Sequence, residues 1–244
     1  MSLIQGYATD MSVRARQKLK TAEAAKKFNH DLLEKIRAYQ EKGLTPAFTD
    51  FDVSQNPMPS EQLAALFCTF RTTGVRVEML RMFGCATLDD NAMVSLADWL
   101  RTVTPETAPM EMHLSDCAIS LEGFFQLLDA TEGNDAFPGQ DRTGRRCPLY
   151  LRLENNYIQP ETAIQAKINE GVITPYKKNS GPIRCSVPSA PDAKIKLLGK
   201  VQRPTLAFKW FHLILGGRNP QTPPIYVGGL RFPTPPLDVG LRPP

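Results

Sequence analysis

The sequence predicts an α/β protein: a short solenoid of about four stacked strand-helix repeats, preceded by an N-terminal capping helix and followed by a Pro-rich, loosely ordered C-terminal tail. Three observations predict it. Four stretches of the chain fall into register with one another, each an apolar-x-apolar strand ending in an Asn or Cys. The segments between them place apolar residues at helical spacing. Thirteen of the 21 prolines collect beyond residue 171, outside the repeats.

The division that follows is residues 1–44, a basic segment with the capping helix; 45–172, the repeats; and 173–244, a basic and mostly irregular tail. In the first part, Phe28, Leu32, Leu33, Ile36 and Tyr39 form one stripe of an amphipathic helix over residues 21–41. Such a helix covers the end of a stack that would otherwise expose its core. The stretch VRARQKLKTAEAAKK ahead of the stripe is basic and poor in large apolar residues. It either reaches beyond the body to a phosphate or acidic partner, or is a solvated helix face.

The four registered stretches are FDVSQNPM (51–58), LRMFGCAT (80–87), MHLSDCAI (112–119) and LRLENNYI (151–158). Each closes on an apolar residue, Met58, Ile119 and Ile158, except at Thr87. The polar anchors are Asn56, Cys85, Cys117 and Asn156, spaced by 29, 32 and 39 residues. An apolar-x-apolar pair is the inward face of a short strand, whose side chains alternate. The anchor sits where the backbone turns away, and a buried turn needs partners for its donors and acceptors. Between the anchors, Leu63, Leu66, Phe67 and Phe70 form one helical stripe, and Met93, Leu96 and Leu100 a second. Phe124, Leu127 and Leu128 form a third after Ser120, an expected N-cap; Ala163, Ile164 and Ile168 form a weaker fourth after Pro160. Alternation alone would also suit an ordinary α/β domain with a parallel sheet; shared anchors at near-constant spacing favour the stack.

These residues resemble the leucine-rich-repeat family, of the ribonuclease-inhibitor-like type that pairs each strand with a helix on the convex side. The resemblance covers about residues 45–172. FDVSQNPM and LRLENNYI match the L-x-L-x-x-N-x-L core, and the middle repeats carry its Cys variant. The segment TEGNDAFPGQDRTGRRC (131–147) departs from it and reads as an inserted loop. In the tail, Pro-Pro pairs at 223–224, 235–236 and 243–244 resist regular ladders, whereas IKLLGKV (195–201) and TLAFKWFHLIL (205–215) could add strands or a helix against the last repeat.

Charge is segregated along the chain. Lys and Arg outnumber Asp and Glu nine to five over residues 1–42, are outnumbered eighteen to nine over 43–171, and lead eleven to two over 172–244. No apolar run approaches the roughly 20 residues of a membrane span, and the start lacks the apolar core of a secretory signal, so an intracellular protein, cytoplasmic or nuclear, is expected. Five widely spaced cysteines and three histidines form no metal-ligand cluster, and no phosphate-binding or nucleophile motif occurs. Neither cofactor, metal nor catalysis is expected.

The resemblance implies that function lies on the concave face, lined by strand residues pointing outward. Between the paired apolar positions these are Asp52, Arg81, His113 and Arg152; flanking them are Asp50, Ser54, Met79, Phe83, Glu111, Ser115, Tyr150 and Glu154. Arginines beside aromatic anchors suit a protein hot spot. The expected function is therefore a non-enzymatic interaction module that binds a protein partner. The alternative is an RNA-associated protein gripping nucleic acid through its basic ends, and a third possibility is a regulatory piece of a larger protein.

Overall fold

The computed structural model describes residues 2–176 and 192–198. The chain opens with an antiparallel hairpin, β1 (Ile4–Tyr7) and β2 (Asp10–Arg14), and continues through α1 (Ala22–Gln40), β3 (Ala47–Asp52) and α2 (Ser60–Thr73). Next come β4 (Arg76–Val77), β5 (Met79–Arg81), α3 (Asp90–Leu100), β6 (Glu111–His113) and α4 (Leu121–Glu132). A small hairpin, β7 (Gly139–Gln140) and β8 (Arg146–Cys147), precedes β9 (Leu149–Arg152), α5 (Glu161–Asn169), β10 (Ile173–Tyr176) and β11 (Ile195–Leu198). The main sheet is open, in the order β1-β2-β3-β5-β6-β9-β11-β10, with β4 alongside β3. From β2 onward every neighbouring pair in it is parallel. An α/β fold with a mostly parallel sheet is thus what the chain adopts.

Consecutive helices α1 to α4 pack against one another in a single layer, the consequence of parallel strands joined in sequence order by crossovers of one hand. Their apolar stripes meet the inward strand residues. Phe51 on β3 packs edge-on to Phe70 of α2, ring centroids 5.0 Å apart, and Phe70 lies 5.0 Å from Trp99 of α3. Leu80, Met82, Met112, Leu114, Leu151 and Leu153 have no exposure. All four expected helical stripes fall on helices, with Ser120 capping α4 through a bond accepted from the Glu122 amide. Asp89 caps α3, and Asp90 reaches across to α4, where its carboxylate accepts from the Ser120 and Gly123 amides. A Cβ at Gly123 would collide with that carboxylate.

The turns after the strands explain the anchors. A left-handed residue recurs at Gln17, Gln55, Gly84, Asp116 and Asn155, with φ between 57° and 68°. It swings the chain out of each strand, and at Gly84 an added Cβ would sit 3.1 Å from the Gln55 side chain. The backbone groups thereby turned out of the ladder bond to the next turn: the Gln17 amide to the Ser54 carbonyl, Gln55 to Phe83, Gly84 to Ser115 and Asp116 to Glu154, at 2.8–3.1 Å. From Gln55 onward, the Asn or Cys anchor following each left-handed residue ties its turn to the preceding one. Asn56 Nδ2 donates to the Ala15 and Val53 carbonyls while its Oδ1 accepts from the Leu19 amide. Asn156 repeats this with Leu114, Leu153 and the Ile119 amide. The thiols of Cys85 and Cys117 donate to the Val53 and Met82 carbonyls, at 3.5 and 3.2 Å.

Three expectations take a definite form in the structure. The stretch beginning VRARQKL does not project from the body: Met11, Val13, Ala15 and Leu19 are buried, and β2 with its turn is one more strand unit beside β3. Its period-two apolar pattern was the legible signal, obscured because Lys18 stands where the other units carry Asn or Cys. The segment 131–147 is an ordered excursion that ends in the β7-β8 hairpin. The sheet also continues past residue 172, since β11 inserts between β9 and β10, so the stretch from Ile195 does pair with the last expected strand. At Thr87, the off-type closing position, Leu88 is the buried residue, one place later. The run 205–215 and the Pro-Pro pairs lie outside the described residues.

Replacing Asn156 by Ala strands the Leu114 and Leu153 carbonyls and the Ile119 amide in the core, and should destabilise by about 3 kcal/mol. Replacing Asn56 strands the Leu19 amide, while the Ala15 carbonyl keeps the Lys18 amide and the Val53 carbonyl the Cys85 thiol, and should cost about 1–2 kcal/mol. Lys27→Ala, which breaks an exposed pair with Asp31, should cost within about 0.5 kcal/mol. Urea denaturation midpoints at constant slope check each.

Candidate interaction face

One face of the sheet carries the helices, and the other carries none of the described helices. On this second face the register aligns Arg14, Asp52, Arg81, His113 and Arg152 side by side across β2, β3, β5, β6 and β9. At the usual strand spacing that row is roughly 19 Å long. Two residues earlier along the strands runs a second row, Met79, Glu111, Tyr150, Lys196 and Thr174, with Asp50 on the same face of β3. In the turns beyond, Arg16, Ser54, Phe83, Ser115 and Glu154 form a third. The register thus sets the residues singled out by the alternation side by side in three rows.

Its residues differ sharply in access. Arg81 and Arg152 keep 36% and 37% of their side-chain surface. Met79, Glu111 and Tyr150, expected to be outward contact residues, are buried instead, as are Ser54 and Ser115. For Tyr150 the reason is packing from elements the repeats did not foretell: it forms a small apolar cluster with Tyr176 and Leu198, separate from the main core, and its ring lies 5.5 Å from that of Tyr176. Burial pushes the Tyr150 hydroxyl up to about 12.

Every basic residue the sequence singled out already has an acidic neighbour. Arg81 Nε stands 3.0 Å from Asp50 Oδ1. His113 Nε2 is 2.6 Å from Glu111 Oε1. Arg152 donates to Glu154 Oε1 through Nε and Nη2, at 3.1 and 2.9 Å. Ser115 Oγ donates to the other Glu154 oxygen, at 2.7 Å, so Ser115 pairs with a carboxylate and not with His113. Burial alone would raise Glu154, but Ser115 and Arg152 outweigh it and hold the carboxyl below its ordinary range. Asp50 goes the other way: burial raises it more than Arg81 lowers it. Phe83 is half covered, with the Arg16 guanidinium 4.8 Å above its ring. Arg16 and Arg14 belong to this face and escaped the sequence reading because their strand did.

Among the described residues no group of three or more His, Cys, Asp or Glu side chains could hold a metal ion, and no helix is long and apolar enough to cross a membrane. The thiols of Cys85 and Cys117 are pushed well above the ordinary range by burial, which keeps them protonated as the turn donors described above.

Asp50 generates a prediction with a definite sign. A carboxyl whose folded-state pKa is raised binds more protons folded than unfolded, so its contribution to stability falls as pH rises through the window just above 3.8. Asp50→Asn has no such titration, so its stability relative to the parent should increase across that window and level off above it. Paired urea titrations from pH 3 to 7, a range set by ordinary carboxyl values, measure the difference, and a flat or falling difference contradicts the shift.

No protein-family model matches this chain, and no curated protein is significantly similar to it.

Proposed function

We propose that the chain is a leucine-rich-repeat solenoid of the ribonuclease-inhibitor-like type, working inside the cell as a non-enzymatic module that binds a protein partner. The binding surface is the helix-free face, concave in this reading, with Arg81, His113 and Arg152 at its centre and Asp52, Phe83 and Glu154 beside them. The recurring left-handed turn and the Asn or Cys anchor after it support the repeat assignment.

One observation carries the choice of partner. The three central cations of the face come with their own carboxylates, Arg81 with Asp50, His113 with Glu111, Arg152 with Glu154. A polyanion laid along the row would face those carboxylates from β5 to β9, whereas a protein surface of mixed charge can pair with both signs. Half-exposed arginines beside an aromatic ring are the composition of protein hot spots. Met79, Glu111 and Tyr150 are buried, and in this reading they support the contact residues above them. The second reading, RNA held by the basic ends, rests on the eleven-to-two excess of Lys and Arg over Asp and Glu in residues 172–244.

Affinity capture from lysate with and without nuclease, comparing the parent with an Arg81→Glu, Arg152→Glu double variant, tests the proposal. Both side chains are more than a third exposed, so the variant should fold. A protein captured despite nuclease and lost with the variant, by at least about a hundredfold as two hot-spot arginines allow, is the expected result. Capture of nucleic acid at equal strength by both proteins, falling steeply with salt, would favour the basic ends.

A further inference from the structure

The β7-β8 hairpin interrupts the repeat spacing and folds back over strands that precede it by sixty residues or more. Its feet are fixed, with Phe137 and Cys147 almost fully buried, and its tip is exposed from Arg142 to Arg146. That tip is internally rigid: Asp141 accepts from the Thr143 amide and hydroxyl and from the Arg145 amide, at 2.6–3.0 Å. From it Arg142 reaches out, its Nε donating to Glu78 Oε1 at 2.7 Å and its Nη2 to the Thr9 carbonyl at 3.3 Å. Closer to the feet, Arg76 donates to the Gln140 carbonyl and the Gln140 amide to the Pro105 carbonyl.

The base of the hairpin lies close against Ala108 and Met110 at Gly139, and its outer part stands off the sheet. A cleft of about 410 Å³ separates them, with Thr49, Glu78 and Met110 on the sheet side and Asp141 and Thr143 on the other. Those three sheet residues each stand one place before Asp50, Met79 and Glu111. The hairpin thus roofs the margin at which the strands of the candidate face begin. Buried feet, an internally bonded tip, space beneath and an ion pair whose arginine end is exposed are the parts of a flap hinged at its feet.

We propose that this hairpin is a gate on the interaction face, latched by Arg142 on Glu78, and that releasing the latch opens the cleft onto the face and admits the partner. The proposal rests on the protein-binding reading above. With the latch closed, a partner reaches only the half-exposed row; with it open, the surface around Asp50 and Glu78 is added. The latch joins an arginine that is 54% exposed to a carboxylate that is 13% exposed and also lies 3.3 Å from Arg76 Nε, so salt screens it from the Arg142 side and a more acidic partner surface competes for Arg142.

Hydrogen exchange on the full chain tests the latch without any partner. Arg142→Gln should speed exchange of the Gln140 amide, which is bonded off the hairpin to the Pro105 carbonyl, about three- to tenfold relative to the parent, with core amides unchanged. High salt should accelerate the parent and leave the variant unaffected. Glu78→Gln, which removes the other half, should give the same local acceleration. Parent-like exchange of the Gln140 amide in both variants overturns the proposal. Partner capture tests the gate: it should rise at least about threefold in Arg142→Gln, and unchanged or weaker capture, with the face still sensitive to Arg81→Glu, Arg152→Glu, overturns gating while leaving the face intact. Capture indifferent to that double variant instead removes the face as the binding surface, whatever the exchange shows.

Discussion

A chain that leaves a buried strand by a sharp turn carries its amides and carbonyls into the interior with no ladder to receive them. In this protein each such turn is received by the next. The left-handed residue directs an amide to the following turn, and the Asn or Cys side chain beside it bonds the preceding one. Each leftover group is worth about 1–3 kcal/mol if orphaned, which is of the order of a whole domain's net stability when several are lost together. The parallel register of the sheet, the single helix layer and the alignment of the charged row on the opposite face all presuppose this stacking of turns.

The charged row then has a property that a list of residues does not convey. Arginines aligned across parallel strands would repel one another and draw a polyanion. Asp50, Glu111 and Glu154 turn the row into alternating charge, and Asp50 does so at a cost, being held partly out of solvent. Glu154 has Ser115 and Arg152 to stabilise its charge and titrates low, while Asp50 has Arg81 and titrates high. The two ends of the face consequently differ in how firmly their ion pairs are set.

Much of the fold was legible because its defining residues recur locally. The four strand motifs, the helical stripes and the Ser120 cap are patterns of period two, period 3.6 and single positions, all contained within ten or so residues. The first strand unit was missed because Lys18 occupies the anchor position, leaving only the alternation of Met11, Val13 and Ala15. The burial of Tyr150 had no local signature at all, since the residues that pack on it, Tyr176 and Leu198, come from strands 26 and 48 residues later. The fold-back of the hairpin was hidden for the same reason: Arg142 and Glu78 are 64 residues apart, and nothing in either neighbourhood names the other.

Native-state amide exchange at the turns tests the stacking most directly. The Gln17, Gln55, Gly84 and Asp116 amides, with Leu19 and Ile119 bonded to the Asn side chains, should exchange only through global unfolding, at one common free energy set by the denaturant midpoint. Exchange of these turn amides well ahead of the inward strand amides would mean that the turns open independently, and that the side-chain and main-chain ladder is not what holds the strand units together.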